Sequence, residues 1–175
     1  MDKLFRGAVG ALGILLLLLA LPVILICIVL FGVFLTADED APKGAGYWRQ
    51  EISGELLLNL PEAEVMYERD THEFRDGVTA VSMKLRGSLL SEVERGARWR
   101  KLPLHENINT DWFEDEEGNA LISQVQNGYY LFIDRYRETG DIYDPSQSSP
   151  LKTLNYTVAI WDQDTNILYY FEIDT

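Results

Sequence analysis

An uninterrupted apolar run from residue 8 to residue 35 constrains this chain more than any other feature of its sequence. The run contains aliphatic and Phe side chains with Gly, Pro22 and Cys27, and it has no Asp, Glu, Lys, Arg or His. As a helix, its 28 residues rise about 42 Å at about 1.5 Å each, against a hydrocarbon layer of about 30 Å. The sequence therefore predicts a transmembrane anchor helix over residues 8–35, in contact with membrane lipid.

The charges beside this run predict its orientation. Lys3 and Arg6 precede it, and Asp38 follows it closely. Since basic flanks stay on the cytoplasmic side, residues 1–7 are predicted to be a short cytoplasmic N-terminus and the rest of the chain to be extracytoplasmic. A cleaved secretory signal is the alternative, but its apolar core has about 7–15 residues. We therefore expect an uncleaved signal-anchor in a single-pass protein of the cell membrane.

The sequence beyond the anchor divides into a polar linker, residues 36–46, and one extracytoplasmic domain, residues 47–175. After residue 36 there are 13 Lys and Arg against 27 Asp and Glu, a net charge near −14. Such a charge repels phosphate backbones, so nucleic acid is not an expected partner. The only cysteine, Cys27, lies in the anchor, so the domain is expected to fold without disulfides.

Alternating apolar residues predict an α+β domain with a mainly antiparallel sheet of about six strands. One helix, over residues 88–99, is predicted to cover a face of this sheet, because Ser88 can cap it and apolar side chains recur at helical spacing. A shorter helix over residues 47–52 would be interrupted by Gly54. The predicted strands are residues 65–69, 78–85, 120–126, 129–137, 156–161 and 167–173.

Two hairpins are expected within this sheet. Asn127-Gly128 suits a type I′ turn between residues 120–126 and 129–137, because both turn positions need a positive φ. A polar turn over residues 162–166 would join the last two strands.

Several phrases of the domain resemble a known group of proteins. They are Asp70-Thr71-His72, Trp99-Arg100-Lys101-Leu102-Pro103-Leu104, Gly128-Tyr129-Tyr130-Leu131-Phe132-Ile133-Asp134-Arg135 and Tyr169-Tyr170-Phe171-Glu172-Ile173-Asp174-Thr175. Together they resemble small uncharacterised, membrane-anchored proteins of Gram-positive, clostridia-like bacteria, a group without an assigned activity. In those proteins a glycine-rich loop follows the Asp-Thr-His triplet, whereas this chain keeps only Gly77. The resemblance implies placement at a bacterial membrane and no particular reaction.

His72 is the first candidate for catalysis. Asp70 precedes it by two residues, and a carboxylate can orient an imidazole as a general base. A nucleophile such as Thr71 or Ser82 would have to lie near, and no Gly-x-Ser-x-Gly elbow is present. The competing interpretation is that Asp70 and Thr71 cap a turn. His105 is interpreted as a loop residue.

Two acidic segments are candidate cation sites. Asp162, Asp164 and Asn166 match the first three ligand positions of a calcium loop, but Ile167 replaces the glycine and Ile173 the bidentate glutamate. A hairpin turn explains the same residues. The acidic segment 111–119 is interpreted as a solvated loop. No metal site and no cofactor are predicted.

Aromatic side chains crowd the last strands and suggest a binding surface. Strand alternation places Tyr130 and Phe132 on one face of the sheet, and with Tyr170 they are candidates for contact with a protein or a sugar. Alternatively, a loop layer such as residues 138–155 covers that face.

These features favour a membrane-anchored extracytoplasmic binding or interaction protein, not an enzyme, with a protein partner at the membrane or cell wall. The alternatives are an envelope-acting hydrolase that uses His72 with Asp70, and an accessory subunit of a membrane complex.

Overall fold

The structure, a computed structural model, describes residues 26, 42–72, 76–115, 117–122, 124–147 and 155–174. The chain divides into two units, Met1–Ala41 and Pro42–Thr175, and the following concerns the second. The predicted anchor over residues 8–35 lies outside the described residues, apart from Ile26. Among the helices that are described, none has the length and apolar character needed to cross a bilayer.

The described domain is a six-stranded antiparallel sheet with two α-helices, which confirms the predicted α+β class. The spatial order of the strands is β1-β2-β6-β5-β4-β3. The elements in chain order are α1 (Gly44–Leu56), β1 (Ala63–Asp70), β2 (Gly77–Leu85), α2 (Leu90–Arg95), β3 (Arg100–Lys101), β4 (Gly128–Asp134), a 3₁₀ turn (Pro145–Gln147), β5 (Tyr156–Asp162) and β6 (Ile167–Asp174).

Both faces of this sheet are buried. On one face, Trp48, Ile52 and Leu56 of α1 recur every four residues and pack with Val93 of α2 and Leu131 of β4. Full burial of such a side chain contributes about 1.5–3 kcal/mol. The two helices therefore cover this face together, where the sequence predicted a single covering helix.

Irregular chain covers the second face. Ile108 and Phe113, which lie between β3 and β4, pack against Phe132, Val158 and other buried residues of this face. Phe113 stacks on Phe171 of β6, with ring centroids 3.9 Å apart. We call residues 102–125 the cover segment. The sequence alternative placed a loop layer over residues 138–155, and residues 148–154 of that range lie outside the described part.

The helices differ in length from the predictions. α1 continues through Gly54 and ends at Leu56, where Leu57 takes a positive φ of 53° and the Leu58 amide donates to the Ser53 carbonyl at 3.1 Å. Burial of Leu56 outweighs the low helix propensity of one glycine. α2 is shorter than residues 88–99, because the chain turns to an extended conformation at Gly96.

The predicted hairpin over residues 120–137 is wrong. Residues 120–125 belong to the cover segment, and β4 pairs instead with β5 and with the two-residue β3. Gly128 is needed for another reason than a turn: a Cβ there would lie 2.0 Å from the carbonyl oxygen of Trp161. The glycine lets the start of β4 approach β5 closely.

The second predicted hairpin is confirmed. All seven residues of β5 pair with β6 around the turn that follows Asp162. Asn166 takes the positive φ of 56° that closes this turn. Its side chain donates to the Leu85 carbonyl at 2.8 Å and accepts from Trp161 Nε1 at 3.0 Å. The turn is therefore fixed to the end of β2 as well as to β5.

Substitution of Gly128 tests the close approach of β4 and β5. We expect Gly128→Ala to lower the free energy of unfolding of the full chain by about 1–3 kcal/mol, because the added methyl group meets strand backbone. Denaturant unfolding in detergent, followed by Trp fluorescence, measures this loss. Gly54→Ala is the control: a Cβ at this exposed helical position meets nothing within 4 Å, so we expect a gain of about 0.5–1 kcal/mol. Equal stability of Gly128→Ala and the wild type would contradict the strand register.

Candidate functional site

His72 lies just beyond the end of β1, in contact with Asp70. Its Nδ1 is 2.8 Å from Asp70 Oδ1, and its backbone amide donates to the same oxygen at 3.2 Å. Thr79, which is paired with Asp70 across β1 and β2, places its hydroxyl 3.1 Å from the same ring nitrogen. A Cβ at Gly77 would lie 2.5 Å from the Cα of His72, so the glycine makes room for the histidine.

The other side of the imidazole faces the end of β6. His72 Nε2 is 3.2 Å from Asp174 Oδ2, and Asp174 is paired with Gly77 across β2 and β6. Arg135, which follows β4, binds Asp174 at 2.6 Å and also pairs with Glu172. Strand ends that are far apart in sequence therefore meet at one end of the sheet.

Lys43, at the start of α1, contacts the second carboxylate oxygen of Asp70. Its Nζ is 2.6 Å from Asp70 Oδ2 and lies over the ring of Tyr47, 5.1 Å from the centroid. The resulting group is called the His72 network below. Its members are Lys43, Asp70, His72, Arg135, Glu172 and Asp174.

Hydrogen bonding decides the ionisation of Asp70. Burial by itself would raise the pKa of this carboxyl, but the hydrogen bonds from Lys43 and from His72 lower the pKa from 3.8 to about 2. The hydrogen bond to Asp70 raises the pKa of Lys43, although partial burial acts to lower it. In the network, two cations, Lys43 and Arg135, pair with three carboxylates.

The chemistry of this site is limited by what the imidazole already contacts. Both ring nitrogens face carboxylate oxygens, which leaves neither ring nitrogen open to a substrate. Thr71 Oγ1 bonds the amide and the carbonyl of Val78, and Ser82 is buried within β2. Within the described residues, neither suggested nucleophile contacts His72. Residues 73–75, beside the histidine, lie outside the described part.

The aromatic candidates for an exposed binding surface are buried. Tyr130, Phe132 and Tyr170 retain 4%, 3% and 1% of their exposure, so the expected open aromatic face is wrong. Tyr130 and Phe132 lie beneath the cover segment, and Tyr170 lies on the helix-covered face. Burial raises the pKa of Tyr170, whose hydroxyl donates to Glu172 at 2.7 Å.

The residues that resemble the start of a calcium loop stabilise the β5–β6 turn. Asp162 accepts from the Asp164 amide at 3.0 Å and from the Thr165 hydroxyl, while Asp164 accepts from Asn127 at 2.7 Å. Asn166 bonds β2 as described above. Within the described ranges, no group of three or more acidic, His or Cys side chains is arranged to hold a metal ion.

An apolar cavity of about 420 Å³ lies between the cover segment and the sheet. Leu102, Leu104, Ile122 and Val125 line it, and the buried Ile160 of β5 also contributes to its lining. The four cover-segment residues are only partly buried, so the cavity opens to solvent. Its volume falls in the range of about 300–1,000 Å³ that is usual for ligand sites.

Sequence reasoning identified Asp70 and His72 but missed their partners. Asp174 is 102 residues from His72, and Lys43 was assigned to the linker. Knowledge of the register of β2 with β6, which pairs Gly77 with Asp174, would have predicted the contact between Asp174 and His72. The cavity was missed because residues 120–126 were interpreted as a strand.

Comparisons with known proteins found no matching family model, no matching curated protein and no matching solved structure.

Removal of the Asp70 carboxylate tests the His72 network. A carboxyl whose pKa is lowered by folding stabilises the fold above pH 3.8, and this contribution disappears as pH falls toward 2. We expect Asp70→Asn to be less stable than the wild type by on the order of 1 kcal/mol at pH 6, after screening by solvent, and equal to it near pH 2. Denaturation midpoints from pH 6 to pH 2 measure the difference.

The control for this prediction is Glu62→Gln. Glu62 pairs with Arg86 at 3.8 Å, with both side chains about 70% exposed, so its loss should change stability by less than about 0.5 kcal/mol. A constant deficit of Asp70→Asn at every pH would contradict the assigned role of the carboxylate.

Proposed function

We propose that this chain is a single-pass membrane protein that uses residues 8–35 as an uncleaved anchor and residues 47–175 as an extracytoplasmic binding domain. The proposal rests mainly on the apolar run of 28 residues, which is long enough to cross a bilayer. The basic side chains before the run support a cytoplasmic N-terminus. The resemblance to membrane-anchored proteins of Gram-positive bacteria agrees with this placement.

The proposed activity is binding of a protein partner at the membrane or cell wall, without catalysis. Two observations support it: both nitrogens of the His72 ring face carboxylate oxygens, and a solvent-open apolar cavity lies elsewhere on the domain. Anchoring would hold the domain at a high effective concentration near such a partner, so a weak contact would suffice.

A hydrolase acting on envelope material is the second candidate. The 2.8 Å contact between Asp70 and His72 favours it, because a general base is often oriented by a carboxylate. It requires that Asp174 leave the second ring nitrogen when substrate binds, which would open His72 to a nucleophile or water.

Cysteine labelling tests the predicted topology. In a Cys27→Ser background, Glu138→Cys should react with a membrane-impermeant maleimide on intact cells stripped of their wall. Lys3→Cys, the matched control, should react only after the membrane is permeabilised. Reaction of both sites only after permeabilisation, or N-terminal sequencing that begins beyond residue 35, would contradict the anchored extracytoplasmic domain.

Substitution of His72 separates binding from catalysis. We expect His72→Gln to co-purify from native membranes with the same companion protein as the wild type, within twofold, because His72 does not line the apolar cavity. The assay is stoichiometric recovery in mild detergent, beside turnover of peptidoglycan fragments. Wild-type turnover that is abolished in a folded His72→Gln protein would favour the hydrolase instead.

A further inference from the structure

Acidic side chains near the apolar cavity indicate which kind of partner it accepts. Between Lys101 and Arg135 the sequence has no Lys or Arg, and residues 106–117 of the cover segment contain six acidic side chains. Within the described residues, no ion pair involves a carboxylate of this segment. The described carboxylates of this segment therefore have no cationic side chain to neutralise them.

The acidic side chains are attached close to the cavity wall. Asp111 directly follows the lining residue Thr110. Glu114 forms a β-bridge with Ala120, another lining residue. Between them Trp112 is 44% exposed, and an exposed indole can accept a Lys or Arg side chain over its ring. Apolar, aromatic and acidic groups thus occur together on one layer.

We propose that this cavity docks a segment of the partner protein that inserts an apolar side chain and places Lys or Arg beside it. The inference rests on the proposed function and gives that function its contact site. Coulomb attraction to the acidic cover segment would speed encounter and exclude acidic segments. Insertion into the cavity would supply the buried anchor that dominates most protein interfaces. A lipid tail with an anionic headgroup lacks the cation that this surface requires.

Two features separate this site from the rest of the acidic surface. The first is a preformed apolar cavity, which a generally acidic surface lacks. The second is the cover segment itself, which already packs Ile108 and Phe113 onto the sheet and so holds the opening in place. Binding should therefore require little ordering of the domain, which keeps the entropic penalty of association small.

The test uses the full chain in nanodiscs of phosphatidylcholine, with synthetic peptides as probes. The first peptide is acetyl-Lys-Lys-Leu-Leu-Lys-Lys-amide. The second replaces its lysines by glutamate, and the third replaces its leucines by glycine. Isothermal titration at physiological salt, with empty nanodiscs subtracted, measures each dissociation constant. We expect the first peptide to bind at least tenfold more tightly than either of the others.

Variants locate the binding on the domain. Ile122→Ser should weaken binding of the first peptide at least fivefold by changing the cavity wall. Met66→Ser, at an apolar residue 59% exposed on β1, should change binding less than twofold.

A second set of variants tests the acidic charge. Asp111→Asn combined with Glu114→Gln and Glu117→Gln should weaken binding of the first peptide at least fivefold. Glu51→Gln combined with Glu62→Gln and Glu64→Gln removes the same charge from α1 and its surroundings and should change binding less than twofold.

Each contrary result overturns the inference. Absence of binding, equal binding of the glutamate or glycine peptide, or equal weakening by the control variants would do so. If Trp fluorescence shows that Ile122→Ser does not fold, Ala120→Leu is used in its place. The larger side chain at this exposed position fills the cavity. A companion protein that co-purifies equally with Ile122→Ser and the wild type would overturn this docking site and leave the proposed function standing. Failure of the topology test would overturn the proposed function without affecting peptide binding.

Discussion

The domain depends on the burial of both faces of one antiparallel sheet. All seven residues of β5 are buried, including Thr157 and Asp162. A central strand of this kind needs cover on each side, since side chains alternate between the faces. Two helices provide that cover on one face, and the cover segment provides it on the other. Each layer is therefore indispensable to the core, although only one of them has regular secondary structure.

This arrangement decides where the domain can interact with a partner. The aromatic residues of β4 and β6 are used to hold the layers together, as the stacking of Phe113 on Phe171 demonstrates. An apolar cavity open to solvent is instead found at the cover segment, whose irregular backbone leaves space against the sheet. Binding surfaces commonly lie on irregular segments held by a rigid scaffold. The acidic side chains of this segment then restrict what the cavity can accept.

The His72 network illustrates a different use of polar residues. Asp70 and Asp174 end neighbouring parts of the sheet, and the imidazole lies between them. Lys43 binds the Asp70 carboxylate, and Arg135 binds that of Asp174. The network joins α1, β1, β6 and the chain after β4, which favours an organising role at this end of the sheet. A catalytic role would require one of these contacts to open.

Local periodicity and short turns are enough to predict the apolar run over residues 8–35, the strands β1, β2, β4, β5 and β6 and the β5–β6 hairpin. The sequence also identified Asp70 with His72, which are two residues apart. The pairing of β4 with β5, the burial of Tyr130 and Phe132, and the contact of Asp174 with His72 become apparent only in the folded chain. Those contacts join residues distant in the chain, and a local pattern does not determine which strands become neighbours or which face receives a second layer. Gly128 is an example: the preceding Asn127 suggested a turn, whereas the structure shows that the absence of a side chain lets β4 lie close to the backbone of Trp161.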